Sequence, residues 1–504
     1  MNQRRWGAVL SYVNILATVI VGLVYTPVML RLLGQSEYGL YSLIGSVVSY
    51  LSVLDMGLGN TLVRYTAQNR VVGSERREAE INGLFLFVYS LIGLVVLFIG
   101  YILYANIGNL FDATLSEGEM ERARIMMVLL IFNLAISFPL SIFSSIMQAY
   151  ERFIFLRVTN ILRVLLNPLI VLPFLYWGYG SVMMVVVSTV LNIACLLANL
   201  YYCFRYLHVH FARGKYEKVF LCEIATYSFF IFLNAIMDKV YWGTGQFVLG
   251  IVAGTLQVAV YAIAMQFMMM YMNFSNAISG VMLPKVTMMV ANKVSSQELT
   301  NLMTRIGRLQ YLVVMYIFLM FLLVGREFLY LWAGEGYLSA WPIVLLLMGA
   351  MIIPLVQNVG ISILQAMNLN RYRMTVYTMF AAADFIACFP LARYFGGMGC
   401  AVATAVSLVI STGLIMNRYY ARRIHIDIRH FWLSLLSLSR GSVVFLLLAL
   451  VVNHFVVQGA SWGNFAVVTL IDTVLYFIAL YNLGMNDEER QLCRKVGQKV
   501  RSIV

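Results

Sequence analysis

Long apolar runs separated by short polar breaks organise the whole chain. A helix needs about 20 apolar residues to cross a hydrocarbon core of roughly 30 Å. On that measure the pattern predicts spans at 8–33, 39–59, 81–105, 125–148, 156–177, 181–204, 222–250, 256–283, 308–331, 342–366, 374–395, 399–417, 441–458 and 464–484. The runs are continuous, without ten-residue segments of alternating polarity, so a β-barrel is a poor reading. The seventh and eighth spans have polar interiors, and only Gly254-Thr255 divides them. The first run extends from about Ala8 to Leu33, well beyond the 7–15 residues of a signal-peptide core, and is expected to stay as an uncleaved helix. The longest breaks, at 60–80, 106–124, 205–221, 284–307 and 418–440, run near twenty residues, too short for an enzyme domain.

Composition agrees. Hydrophobic residues make up 62% of the 504 and charged ones only 11%, against roughly 25% charged in soluble domains. The net charge of +13 does not call for nucleic acid, because the basic residues cluster in the breaks. With the N-terminus cytoplasmic, 28 of the 35 Lys and Arg fall on cytoplasmic segments, beginning with Arg4 and Arg5 and ending with Arg490, Arg494, Lys495, Lys499 and Arg501. The outer segments hold only Arg31, Arg122, Arg124, Arg326 and Arg393. This bias predicts an inner-membrane protein with both termini inside. Cys195, Cys203, Cys222, Cys388, Cys400 and Cys493 show no CxxC spacing, so neither disulfides nor a zinc site is expected. The histidines have no metal-ligand pattern; His208-x-His210 lies in a basic loop. The chain has no HExxH, Walker loop, dinucleotide glycine motif or GxSxG, so it reads as a non-enzyme without a nucleotide or other cofactor.

The two halves are similar. A shift of 220 residues places Asn14 on Asn234, Gly34 on Gly254 and Tyr41 on Tyr261; a shift of 217 places Gln148-Ala149 on Gln365-Ala366, Pro173 on Pro390, Gly180 on Gly397 and Asn167 on Asp384. Six helices separate the equivalents, so both halves point the same way, as in a parallel transporter repeat. The expected division is a lobe at 1–211, a second lobe at 212–425, and two appended helices with a tail at 426–504.

Several stretches carry a family resemblance. These are Leu33-Gly34-Gln35-Ser36-Glu37-Tyr38-Gly39-Leu40-Tyr41, then Leu54-Asp55-Met56-Gly57-Leu58-Gly59-Asn60 with Arg64-Tyr65. In the second half they are Glu327-Phe328-Leu329-Tyr330-Leu331-Trp332-Ala333-Gly334, Trp341-Pro342 and Gln365-Ala366. The chain thereby resembles the polysaccharide-transporter branch of the MOP superfamily, the Wzx-type flippases of lipid-linked O-antigen or capsule units. The resemblance implies an all-α integral membrane fold of about fourteen spans: two six-helix lobes in a MATE-like V, plus two C-terminal helices. It also implies an undecaprenyl-pyrophosphate-linked oligosaccharide as substrate, carried by alternating access, with membrane lipids around it and glycan polymerase machinery as a candidate partner.

Charges at bilayer depth cost roughly 2.5–3.5 kcal/mol each on insertion scales and need partners or water. Those in the spans are Asp55, Arg163, Asp238, Lys239, Asp384 and Asp472, with Asn14, Asn167 and Asn234 as polar company. Arg163 and Lys239 are the candidate cationic centre for a pyrophosphate; the competing account pairs Arg163 with Asp55 or Asp384. Asp384, an isolated mid-helix acid, is the candidate for proton or sodium coupling. Asp238 and Asp55 are further coupling or gating candidates, Asp55 also reading as a snorkelling or loop-paired acid, whereas Asp472 reads as structural. A MATE-type drug exporter and a lipid II flippase are the alternatives. Against the exporter, the first helix carries Asn14 and no acid. Against the lipid II flippase, no basic residue lies in the interior of that helix, and its outer end has only Arg31. A glycan polymerase or ligase ranks low because the outer loops are small.

Overall fold

The computed structural model describes residues 3–214, 218–280, 282–456, 460–491 and 494; Lys215, Cys493, Lys495, Lys499 and Arg501 lie outside them. No strand occurs among the described residues. The helices are α1 (Gln3–Leu33), α2 (Gln35–Leu51), α3 (Leu58–Val72), α4 (Glu75–Phe111), α5 (Glu117–Ala149), α6 (Phe153–Tyr176), α7 (Ser181–Tyr206), α8 (Lys218–Val252) and α9 (Thr255–Ser279). They continue as α10 (Leu283–Ala291), α11 (Ser296–Trp332), α12 (Ala340–Val356), α13 (Asn358–Ala366), α14 (Asn370–Leu408), the short α15 (Asn417–Tyr419), α16 (Ile428–Val456) and α17 (Trp462–Leu483).

Among the described residues, thirteen helical stretches are long and apolar enough to cross a membrane. One of them, Asn370–Ile424, has 55 residues. At 1.5 Å per residue it would reach about 80 Å, more than twice the hydrocarbon thickness. It does not run straight. Gly396 leaves helical geometry at φ 56°, ψ −139°. A Cβ on Gly399 would stand 2.0 Å from the Leu391 carbonyl oxygen, so only glycine lets the chain turn back there. Across the turn Ser407 Oγ donates to the Phe380 carbonyl at 3.5 Å, and Thr404 meets Asp384. The stretch is therefore two crossings, and the total is the expected fourteen.

The second span departs from its predicted end at residue 59. α2 stops at Leu51, a 3₁₀ turn covers Ser52–Asp55, Met56 and Gly57 take left-handed φ values of 50° and 66°, and α3 resumes to Val72. Apolar periodicity alone does not show such a break.

The chain divides into two compact units, Met1–Ala262 and Ile263–Val504. In the first, α1 packs along α6, α5 along α4 and α7, and α8 against α2. The first unit thus includes α8, which carries Asn234, Asp238 and Lys239. In the second, α16 and α17 form a hairpin against α11, with Phe431, Phe445, Val468 and Tyr476 in its core. The Tyr476 hydroxyl donates to the Leu312 carbonyl at 2.7 Å. Leu433, Leu436, Val443, Leu447 and Val474 stay more than half exposed on the outside of that hairpin. In water this would be a liability; in a bilayer it is the lipid-facing surface.

Candidate functional site: a polar cavity within the first unit

Three consecutive helices carry polar residues at helical spacing. These are Asn133, Ser137, Ser144 and Gln148 on α5, Arg157, Asn160, Arg163 and Asn167 on α6, and Asn192, Cys195 and Asn199 on α7. Residues three and four apart share a helix face, so each set forms a stripe. Hydrocarbon repels such stripes, and they turn toward one another. Between them lies a cavity of about 220 Å³ lined by Gln148, Arg157, Asn160, Arg163, Asn192 and Asn199, among others. No acidic side chain lines it.

Arg163 sits on the floor. Its Nη1 donates to Asn192 Oδ1 at 2.6 Å. The Asn192 amide then donates to Asn133 Oδ1 at 2.9 Å and Ser137 Oγ at 2.8 Å. This relay fixes the amide and aims its oxygen at the guanidinium. Among the described residues no carboxylate pairs with Arg163, which removes the Asp55 version of the ion-pair account within this unit. Higher up, the Asn199 amide donates to Ser144 Oγ at 3.0 Å, while its own Oδ1 is buried without a partner. The cavity begins at the end of the unit that carries the α5–α6 turn. From that end, Arg157 is about 6 Å and Arg163 about 15 Å along the α6 axis.

Three comparisons place this architecture. A family profile described as polysaccharide biosynthesis protein matches residues 6–290. The chain belongs to that family. A Shigella flexneri protein whose name refers to O-antigen transport is 20% identical over 407 residues, covering 78% of this chain and 91% of its own. The Bacillus subtilis membrane protein EpsK, itself uncharacterized, is 19% identical over 495 residues, covering 97% of each chain. Among solved structures, an inward closed lipid II flippase MurJ superposes with TM-score 0.73 at 14% identity, over 94% of this chain and 97% of that one. An inward-facing MATE multidrug transporter of the MOP superfamily follows at TM-score 0.66 and 12% identity, over 82% and 99%. The fold is that of MOP-superfamily transporters, and the chain is a multi-pass membrane protein of the polysaccharide biosynthesis protein family.

The family-like first stretch is a structural junction. Gly34, at φ 79°, ends α1 and opens α2. Glu37 accepts from the Ser181 backbone N–H at 3.2 Å and hydroxyl at 2.5 Å, and pairs with Arg122 at 2.6 Å, so it joins α2 to α5 and α7. Glu119 accepts from Ser36 and, at 2.9 Å, from Thr255. Asp55 lies at the break after α2, where Tyr89 OH donates to it at 3.0 Å. Among the described residues no Arg forms an ion pair with it.

The remaining expected site residues are dispersed. Lys239 is half-buried on α8 without an ion-pair partner among the described residues, and it does not line the α5–α7 cavity; its neighbour Asp238 is exposed. Asn234 is half-buried on the same helix. Asn14 keeps a buried Oδ1 without a partner on α1, and Asn167 lies one turn beyond Arg163. Asp384 is fully buried, with Thr404 Oγ1 at 3.2 and 3.4 Å from its two oxygens. Asp472 is also fully buried and accepts from the Asn453 amide at 3.0 Å, tying α17 to α16. Sequence reasoning missed Arg157, Asn192 and Asn199. On α6 the signal was present in the i, i+3, i+6 spacing that runs back from Arg163; on α7 the i, i+3, i+7 spacing of Asn192, Cys195 and Asn199 held no residue singled out as a site.

Proposed function

We propose that this transporter flips an undecaprenyl-pyrophosphate-linked oligosaccharide across the inner membrane by alternating access, supplying O-antigen, capsule or exopolysaccharide assembly. The observation that carries the reading is the acid-free cavity at membrane depth, into which an Arg projects without a carboxylate partner. A cation there is costly unless an anion or water compensates it, and a guanidinium fork suits phosphate oxygens. Arg163 and Lys239 supply the positive charge for the pyrophosphate. Asn14, Asn167 and Asn234 offer hydrogen bonds to sugars. Asp384 couples transport to a proton or sodium gradient, and Asp238 and Asp55 assist coupling or gating; the break beside Asp55 gives α2 and α3 a place to bend. Both termini lie in the cytoplasm, and glycan polymerase machinery is a candidate partner.

The test is flipping in reconstituted vesicles by variants expressed and folded as wild type. Arg163→Ala and Lys239→Ala should each lose transport, and Arg163→Lys should retain part of it, because it keeps the charge and loses the fork. Charge-balancing doubles decide between substrate binding and simple neutralisation. If Arg163→Ala with Asp384→Asn, or Lys239→Ala with Asp238→Asn, recovers flipping, the substrate-binding role fails.

A further inference from the structure

Arg157 lies one turn into α6. In the structure it shares the α5–α7 cavity with Arg163. The two lie six residues apart on α6, about 9 Å along its axis and about 120° around it, and both line the cavity together with Asn160. Neither has a carboxylate partner among the described residues, and the lining brings no negative charge. Arg163 spends one N–H on Asn192 and keeps the rest of its fork uncommitted. Asn199 is 6% exposed, so its amide group is held in place by Ser144 in a nearly closed wall.

We propose that Arg157 and Arg163 form a two-guanidinium subsite within the first unit that takes a diphosphate group. The proposal rests on the flippase reading for its physiological ligand but not for its chemistry. Two forks in one cavity neutralise a multiply charged anion better than a single cation, and charge-assisted hydrogen bonds strengthen where water is scarce.

The cavity contains its own reporter. Cys195 lines it, half-buried, with its thiol directed to the Thr159 carbonyl at 3.7 Å. The experiment uses the full chain in nanodiscs, with every other cysteine replaced by Ser or Ala. Cys195 is labelled with an anionic and with a cationic methanethiosulfonate, with and without inorganic pyrophosphate or farnesyl diphosphate. The expected result is preference for the anionic reagent and slowing by both diphosphates. Arg157→Gln and Arg163→Gln should each weaken that protection on the order of tenfold, the loss of one charge-assisted contact. Arg76→Gln, which removes an exposed charge on α4 outside the lining, should leave it unchanged. Equal protection by both ligands identifies the diphosphate alone as what is recognised; stronger protection by farnesyl diphosphate adds recognition of the lipid. No charge preference and no protection in the unmutated Arg157–Arg163 background overturns the subsite, and so does protection lost equally in Arg76→Gln. If protection disappears in Arg157→Gln while flipping in vesicles persists, the subsite stands and its place in the transport reading falls.

Discussion

Arg308 is the most heavily bonded cation among the described residues, and it allows a quantitative test of how the appended hairpin is held. Its Nε donates to Glu489 Oε1 at 2.7 Å and its Nη2 to Oε2 at 2.8 Å, a bidentate pair. Nη2 also reaches the Gly484 carbonyl at 3.2 Å, and Nη1 reaches the Ser434 carbonyl at 2.5 Å and Ser437 Oγ at 2.9 Å. The two side chains are 5% and 6% exposed. Glu489 also accepts from the Asn486 backbone N–H at 2.9 Å and returns its own N–H to Asn486 Oδ1 at 2.9 Å. One ion pair thus ties α11, α16 and the segment after α17. Removing either partner leaves a buried charge uncompensated, so Arg308→Met and Glu489→Gln should each cost about 3–5 kcal/mol. The double variant Arg308→Met with Glu489→Gln removes both charges and should cost less than the sum, with a coupling of roughly 1–3 kcal/mol. Equilibrium unfolding in mixed micelles with increasing SDS measures all three. The neighbouring Arg305–Glu488 pair, at 3.4 Å and 58% and 67% exposed, is the internal control; an exposed pair contributes about 0–1 kcal/mol. If Glu489→Gln costs no more than Arg305→Met, the Arg308 pair is solvated in the membrane-embedded protein and this reasoning is wrong.

Three further outcomes are expected. A Cβ at residue 39 would stand 1.9 Å from the Thr255 carbonyl oxygen, so Gly39→Ala should force α2 and α9 apart, at about 1–3 kcal/mol or more, and cut the monodisperse yield. Gly45→Ala, where nothing lies within 4 Å, should not. Asp384→Asn keeps an acceptor for Thr404 and should fold, yet flipping should lose its dependence on the driving ion gradient; unchanged dependence removes Asp384 from coupling. A cysteine placed at Ser116, the N-cap of α5, should react with impermeant maleimide from the external side, and labelling solely from the cytoplasmic side would reverse the proposed orientation.

Why some of this was legible in the chain and some was not follows from range. Span number depends on local apolarity, a property of twenty consecutive residues, and the fourteen crossings were visible even where Gly396 hides inside one continuous helical stretch. The break at Asp55-Met56-Gly57 was less visible, because a left-handed residue interrupts the backbone without interrupting the apolar run. The site shows the sharper limit. Arg163 stood out because a charge far inside a span is expensive wherever it points. Arg157 did not, because an Arg near a helix end is ordinarily an anchor, and only the packing of α5 and α7 on α6 turns it into a cavity wall. Asn192 is costly to place in hydrocarbon, but its donors and acceptor are matched by Asn133, Ser137 and Arg163, all distant in sequence. The same holds for Arg308. At the edge of a span it reads as a cytoplasmic charge, and its meaning comes from Glu489, 181 residues away. Depth alone identifies which charges must be compensated. Which group compensates them is set by tertiary neighbours, and in the first unit that distinction leaves two guanidiniums facing a cavity without an acid.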